Sequence, residues 1–249
     1  MPRRRLDLEL VARGLARSRS HAQDLIERGA VSVDAQPADK AALRVSEYLP
    51  ITVASDHYVS RAAHKLLGAL DDLAVHQVLP RGTGWRALDA GASTGGFTQV
   101  LLERGAGTVY AVDVGHDQLA PALRADPRVR AIDRTNLRGL TAAAVDHWPV
   151  DLLVADVSFI SLTLVLQPML AVVDPVGSAL LMVKPQFEVG RERLGKNGLV
   201  RSHQLRAESV DTVAAAAARL GWSTVAGTPS QVPGPAGNQE QFVLLRRPR

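Results

Sequence analysis

From residue 58 onward, apolar positions fall into short dense runs separated by stretches of helical spacing. The runs are WRALDA (85–90), TVYAVDV (108–114), VRAID (129–133), LLVAD (152–156), SALLMV (178–183), STVAG (223–227) and QFVLLR (241–246). Brief apolar runs rich in β-branched residues read as buried strands. Between them, Ser60 to Leu79, Phe97 to Arg104, Leu162 to Val172 and the alanine-rich Leu205 to Leu220 carry helical periodicity. Such alternation predicts an α/β fold with a mostly parallel seven-stranded sheet covered by helices on both faces. Ligands on such sheets sit at the carboxyl ends of the strands.

The first fifty residues have a different texture. Leu6, Leu10 and Val11, then Ala22, Leu25 and Ile26, mark two helices interleaved with Arg3, Arg4, Arg5, Arg13, Arg17, Arg19 and Arg28. Ser18 stands at an N-cap position and Gly29 ends the second helix. AVSVDAQPADK then alternates as a short strand and turn. Two helices and a ribbon of this size bury little, so this unit is expected to lean on a partner surface. The stretch RLDLELVARGLARSRSHAQDLIERGAVSVDAQ resembles the small α+β RNA-binding fold named after a primary-binding protein of the small ribosomal subunit. The resemblance implies that the second helix and its flanking arginines lie on RNA, with Arg4, Arg5, Arg17, Ser18 and Arg19 as the contacts. The expected organisation is an RNA-binding domain over 1–45, an extended linker over 46–57 without strong periodicity, and a catalytic domain over 58–249.

Totals narrow the reading further. The chain has 249 residues, 46% of them hydrophobic, enough for a globular core. It contains no cysteine, which excludes disulfides and thiolate metal sites and suits a reducing compartment. The charged start MPRRRLDLELVARG is unlike a signal peptide, and no apolar run is long enough to span a bilayer. A cytoplasmic monomer without a membrane or metal is therefore expected. A net charge of +4 and an isoelectric point near 9.8 are compatible with a polyanionic partner.

Chemistry gathers at the strand ends. LDAGASTGGFTQVLLERG sets Gly91, Gly95 and Gly96 in the turn between the first of these strands and a helix, where glycine permits tight bending and close approach of a ligand. Ser93 occupies the position of the second glycine of the dinucleotide pattern, so that pattern fails. Asp113 and Asp133 close the next two strands, and Asp113 stands where a carboxylate accepts hydrogen bonds from ribose hydroxyls. Asp89 precedes the glycines and is placed to orient the turn. An adenosine-type ligand is expected; the failed spacing and Asp89 favour S-adenosylmethionine over NAD.

Asp156 and Lys184 end the following two strands, and Lys65 and Glu240 are placed to reach the same rim. Methyl transfer to a sugar hydroxyl requires a base. Two ammonium groups about 4 Å apart repel by roughly 4 kcal/mol at an effective dielectric near 20, which favours a neutral lysine, while Asp156 and Glu240 pull the other way. In this reading Lys184 is the base, Asp156 orients it, and Lys65 and Glu240 position the ribose and the ammonium. Arg191, Arg193 and Lys196 follow Lys184 and form a further cluster suited to a phosphate backbone.

YVSRAAHKL, LDAGASTGGFTQVLL, DRTNLRGL, DVSFISL, VKPQFEVGRERLGKNGLV and GPAGNQEQF together resemble the TlyA family of ribosomal RNA 2′-O-methyltransferases, also catalogued as haemolysins, over nearly the whole chain. The resemblance implies a Rossmann-like class I methyltransferase that uses S-adenosylmethionine to methylate cytidine 2′-hydroxyls of ribosomal RNA, with the ribosomal subunits as partners. It also implies the catalytic set Lys65, Asp156, Lys184 and Glu240. Cofactor contacts map onto Asp89, Gly91, Ala92, Ser93, Thr94, Gly95, Gly96, Phe97, Asp113, Val114, Asp133, Arg134 and Asp156, and RNA contacts extend to Arg191. Asp133 replaces the family's frequent glutamate, and Asp56, His57 and Tyr58 stand at the joint where a tryptophan is common. Two other classes compete: a membrane-lytic protein, for which VDTVAAAAARLGW offers only a modest apolar face, and a catalytically silent RNA-binding protein.

Overall fold

A computed structural model describes residues 3–248 apart from Arg17, Arg28, Ser55, Asp56 and Pro235, and leaves aside the side chains of Asp24 and Glu27. The chain divides into two compact units, Met1–Arg61 and Ala62–Arg249.

The first unit contains β1 (Arg3–Arg5), α1 (Leu6–Ala12), α2 (Arg19–Glu27), β2 (Val31–Val33), β3 (Gln36–Pro37), β4 (Arg44–Ser46) and β5 (Ile51–Val53). Strand β1 pairs with β4, while β2 lies between β3 and β5, all antiparallel. Asp34 and Ala35 both take positive φ, 51° and 60°, as a two-residue primed hairpin turn requires. The Ser18 hydroxyl accepts the His21 N–H at 3.2 Å ahead of α2, and Gly29 closes that helix at φ +70°. Leu6, Leu10, Ala22, Leu25 and Ile26 pack with Val31 and Val45, whereas Val11 stays at the surface. The segment 46–57, expected as a linker, is folded over much of its length: Ser46 ends β4, and Ile51–Val53 pairs with Val33–Val31. Three residues are too few for a period to register in the sequence, so their strand character comes from the partner strand.

The second unit opens with α3 (Ala62–Asp72), then runs β6 (Trp85–Ala90), α4 (Gly96–Glu103), β7 (Ala106–Val112), α5 (Pro121–Arg124), β8 (Val129–Ile132), β9 (Val150–Ala155), α6 (Leu166–Ala171), β10 (Val173–Val183), α7 (Pro185–Glu188), α8 (His203–Arg219), β11 (Ser223–Pro229) and β12 (Gln241–Arg246). The sheet order is β11-β12-β10-β9-β6-β7-β8, with β12 alone antiparallel to its neighbours. All seven strands fall where the apolar runs predict them. Two expected helices are interrupted. The one beginning near Ser60 stops at Asp72 and gives way to a 3₁₀ turn at Ala74–His76, and the one at Leu162 is a 3₁₀ turn over Leu162–Leu164 followed by α6.

From β6 the chain steps outward to β7 and β8, then returns to place β9 on the other side of β6. The order therefore reverses between β6 and β9, the crevice at which open α/β sheets bind ligands. One face of the sheet is filled by Leu88, Val112, Leu153, Leu181 and Val243 against Leu166, Met169, Val213 and Ala217. The small residues of α8 let it lie close on the sheet, so its apolar face is used in packing. Among the described residues no helix is long and apolar enough to cross a membrane.

Candidate active site

The turn after β6 is shaped by its glycine. Gly91 takes φ +87°, and a Cβ there would fall 2.5 Å from the carbonyl oxygen of Asp156. The ends of β6 and β9 thus meet closely only with glycine at this position. Ser93 follows at φ +47°, and its N–H donates to Asp113 Oδ2 at 2.9 Å, while the Gly115 N–H donates to Oδ1 at 2.7 Å. Asp113 therefore ties the loops after β6 and β7 together, and a carboxylate retains lone pairs for further donors. Asp89 lies beneath the turn, fully buried, with Oδ2 accepting the Thr98 hydroxyl at 2.7 Å and Oδ1 without a partner. Burial pushes its carboxyl up to about 7; the Thr98 hydrogen bond opposes the shift and the charge of Asp156 adds to it.

Over this turn opens a cavity of about 510 Å³, lined by Gly91, Ser93, Asp113 and Val114, by Gln118, Thr135, Asn136 and Leu137, and by Asp156 through Ile160 with Val165. Of the residues expected to hold a cofactor, Gly91, Ser93, Asp113, Val114 and Asp156 line it. Asp89, Ala92, Thr94, Gly95, Gly96 and Phe97 do not, and build the turn and the start of α4 behind it. Gly95, at φ +96°, leaves room for Leu119 and Leu123, whose side chains a Cβ would strike. Asp133 and Arg134 do not line the cavity either. The Asp133 carboxylate accepts from Arg124 at 2.8 and 3.0 Å and from the Asp117 N–H at 3.2 Å, and the Arg124 guanidinium holds it below the usual carboxylate range. The wall on this side comes from the next residues, Thr135 to Leu137. Apolar faces at Val114, Leu137 and Val157 beside the carboxylates of Asp113 and Asp156 fit a ligand with a flat ring, a diol and a positive charge.

The four ionisable candidates form two pairs. Lys184 Nζ lies 2.5 Å from Asp156 Oδ1, and that oxygen has no aligned hydrogen bond; the ammonium instead donates to Ser158 Oγ at 2.7 Å. Lys65 Nζ donates to Glu240 Oε2 at 2.5 Å in a buried pair whose other oxygen, Oε1, is unpartnered. Each ammonium thus has its own carboxylate. Strand register brings the pairs together. Val183 faces Gln241 across β10 and β12, so one step further sets Lys184 opposite Glu240. Directly opposed residues project on the same face. Pro185 explains why Lys184 keeps this alternation: the residue before proline is driven from the helical region, and Lys184 sits at φ −105°, ψ 106° while proline begins α7.

Glu188, on α7, accepts the Ser161 hydroxyl at 2.5 Å and the Leu162 N–H at 2.8 Å, and burial pushes its carboxyl up. It thereby fixes the far end of the segment that follows Asp156. In the first unit, Arg5 is bidentate on Asp7 at 3.0 Å, Arg19 joins the same carboxylate at 3.0 Å, and Arg4 pairs with Glu9 at 3.5 Å. Arg17 and Asp56 lie outside the described residues. Arg191 is exposed on a 3₁₀ turn.

The FtsJ-like methyltransferase family matches residues 58–247, and the S4 domain matches residues 4–47. A Mycobacterium tuberculosis protein named 16S/23S rRNA (cytidine-2'-O)-methyltransferase TlyA is 51% identical over 247 residues, covering 98% of this chain and 90% of that protein. This chain belongs to the TlyA family of FtsJ-like methyltransferases. Another relative, named Hemolysin A, of Brachyspira hyodysenteriae, is 35% identical over 95% of this chain and 97% of its own length. Among solved structures, a hemolysin-type protein from Streptococcus thermophilus superposes with a TM-score of 0.75 at 35% identity, covering 99% of this chain and 89% of that one. The TlyA-family head is accordingly an S4 domain.

Sequence reasoning missed Ser158, Phe159, Gln118 and the Thr135–Leu137 wall. Ser158 and Phe159 had one available signal, their place directly after Asp156 in DVSFISL. Nothing in the spacing separates Thr135 from Asp133.

Proposed function

We propose that this protein is an S-adenosylmethionine-dependent 2′-O-methyltransferase acting on cytidine ribose in ribosomal RNA, with Lys184 as the base. The observation that carries the reading is the Lys184–Asp156 pair at the carboxyl ends of β9 and β10, beside a cavity whose turn, carboxylates and apolar walls suit the donor. The mycobacterial relative's name supplies the substrate class, and the S4 domain supplies a reason for RNA to dock. When bound, S-adenosylmethionine supplies an electrophilic methyl group. Asp113 is placed for the ribose diol and Asp156 for the positive charge.

The remaining chemistry falls to side chains of the chain. A ribose hydroxyl is a poor nucleophile while protonated, so the site must remove its proton as the new C–O bond forms. Lys184 receives it, and Asp156 offsets the ammonium that results. Lys65 and Glu240, buried opposite Lys184, fix the floor on which the ribose rests. The target nucleotide must leave its stack to reach the crevice. Phe159, 92% exposed at φ +65° with its ring centroid 5.4 Å from that of Phe187, offers a face on which an extruded base can stack. Arg4, Arg5, Arg17, Ser18 and Arg19 of the S4 domain and Arg191 beyond α7 contribute phosphate contacts, so binding weakens as salt rises. The ribosomal subunits in the cytoplasm are the partners.

Mapping of methylated riboses in ribosomal RNA from cells with and without this protein tests the reading. It predicts specific 2′-O-methylcytidines that vanish on deletion, and identical maps would refute it.

A further inference from the structure

Lys184 does not line the cavity. Its side chain is only 10% exposed, and the groups that the strand ends present to the cavity are Asp156 and Ser158. Ser158 is exposed on that wall, and its Oγ lies 2.7 Å from Lys184 Nζ. Ser158 thus borders both the cavity and the lysine.

We propose that Ser158 is a catalytic residue that relays the proton of the substrate hydroxyl to Lys184. The inference rests on the 2′-O-methyltransferase reading above. In the transfer, the O2′–H bond breaks as the bond from O2′ to the methyl carbon forms, and the methyl–sulfur bond of the donor breaks. The proton passes to Ser158 Oγ while the serine's own proton passes to Lys184, whose ammonium has first given up a proton to solvent and so offers a free amine. The serine is unchanged, the lysine ends as an ammonium, and the positive charge that leaves the sulfonium reappears beside Asp156. The other acceptor facing the lysine, Asp156 Oδ1, is an ion-pair partner without an aligned hydrogen bond, so the directed contact of the ammonium is the one to Ser158.

The relay needs a hydroxyl that stays in place, and the segment carrying Ser158 is held at both ends. The Asp156 N–H donates to the Ala90 carbonyl at 3.0 Å, and Glu188 holds Ser161 and Leu162. This geometry separates Ser158 from an incidental surface serine.

The test compares the full-length wild type with Ser158→Ala and Ser158→Thr. S-adenosylmethionine affinity is measured by calorimetry, single-turnover methylation of ribosomal RNA is followed across pH, and Lys184 is titrated by NMR of its labelled Cε. Ser158→Ala removes the hydroxyl and leaves the Lys184–Asp156 pair in place. If the lysine took the proton directly, the alanine variant would be as fast as wild type at neutral pH. The relay predicts the opposite: donor affinity within about twofold, methyl transfer slower by about 100-fold at all pH values, and recovery to within tenfold in Ser158→Thr. Undiminished transfer in Ser158→Ala, or a loss explained by failed donor binding, overturns the relay. Absence of methylated ribose with the wild type overturns the functional reading, and the relay with it.

Discussion

At the scale of single residues, the site is governed by which carboxylates meet a cation and which do not. Asp89 meets none, and its carboxyl is pushed up to about 7 by burial. An acid whose folded value lies above its unfolded one binds protons more readily when folded, so its effect on stability worsens as pH rises from about 4 to about 7 and is constant above. Asp89→Asn removes that dependence while leaving an acceptor for Thr98. Melting temperatures measured from pH 4 to 8 should show the variant gaining on wild type through this window and levelling beyond it. A gap independent of pH would contradict the assignment. The sequence made Asp156 and Lys184 conspicuous because apolar runs lead directly into them, and Asp89 because it precedes the glycine turn, whereas Glu240 alone reads as an ordinary strand-edge charge. It could not show that Lys184 faces Ser158, since that contact depends on strand register and on the loop's course through Phe159 at positive φ.

At the scale of elements, the central strands β6, β9, β10 and β12 were legible because their cores are buried on both faces and therefore apolar, whereas β11, largely exposed at the sheet edge, was legible only from its β-branched residues. The helix breaks at Asp72 and Val165, the strand at Ile51–Val53 and the Thr135–Leu137 wall were not legible, because tertiary contacts decide them. The glycine turn shows how one position joins two elements. In Gly91→Ala, the φ of +87° costs about 1–3 kcal/mol of strain, and the new Cβ collides with the end of β9. Donor affinity, measured by calorimetry, should fall at least tenfold while the head remains folded; unchanged affinity would remove this turn from the donor site.

At the scale of the whole molecule, the proposed function assigns the two units separable tasks. In the S4 domain, the fully buried Asp7 accepts from Arg5, Arg19, Gln23 and the Leu8 N–H, and the Arg5 guanidinium holds its carboxyl well below the usual range. A lowered folded value means that the stabilisation is complete above the unfolded value near 4 and is lost as pH falls toward the folded one. Asp7→Asn should cost about 2 kcal/mol near neutrality, discounted because its arginine partners are partly in water. Amide exchange in full-length protein reads this directly: protection over residues 6–27 should drop in the variant at pH 7, and the gap to wild type should narrow below pH 4. Donor affinity should not change; if it falls in parallel, the two tasks are not separable.

The account as a whole depends on Lys184 acting as the base of a methyl transfer to ribose. Purified Lys184→Ala, supplied with labelled S-adenosylmethionine and ribosomal RNA, tests it most directly. The predicted result is donor and RNA binding close to wild type, with methyl transfer to cytidine 2′-oxygens reduced by at least 100-fold. Full turnover by a variant that binds both would contradict it.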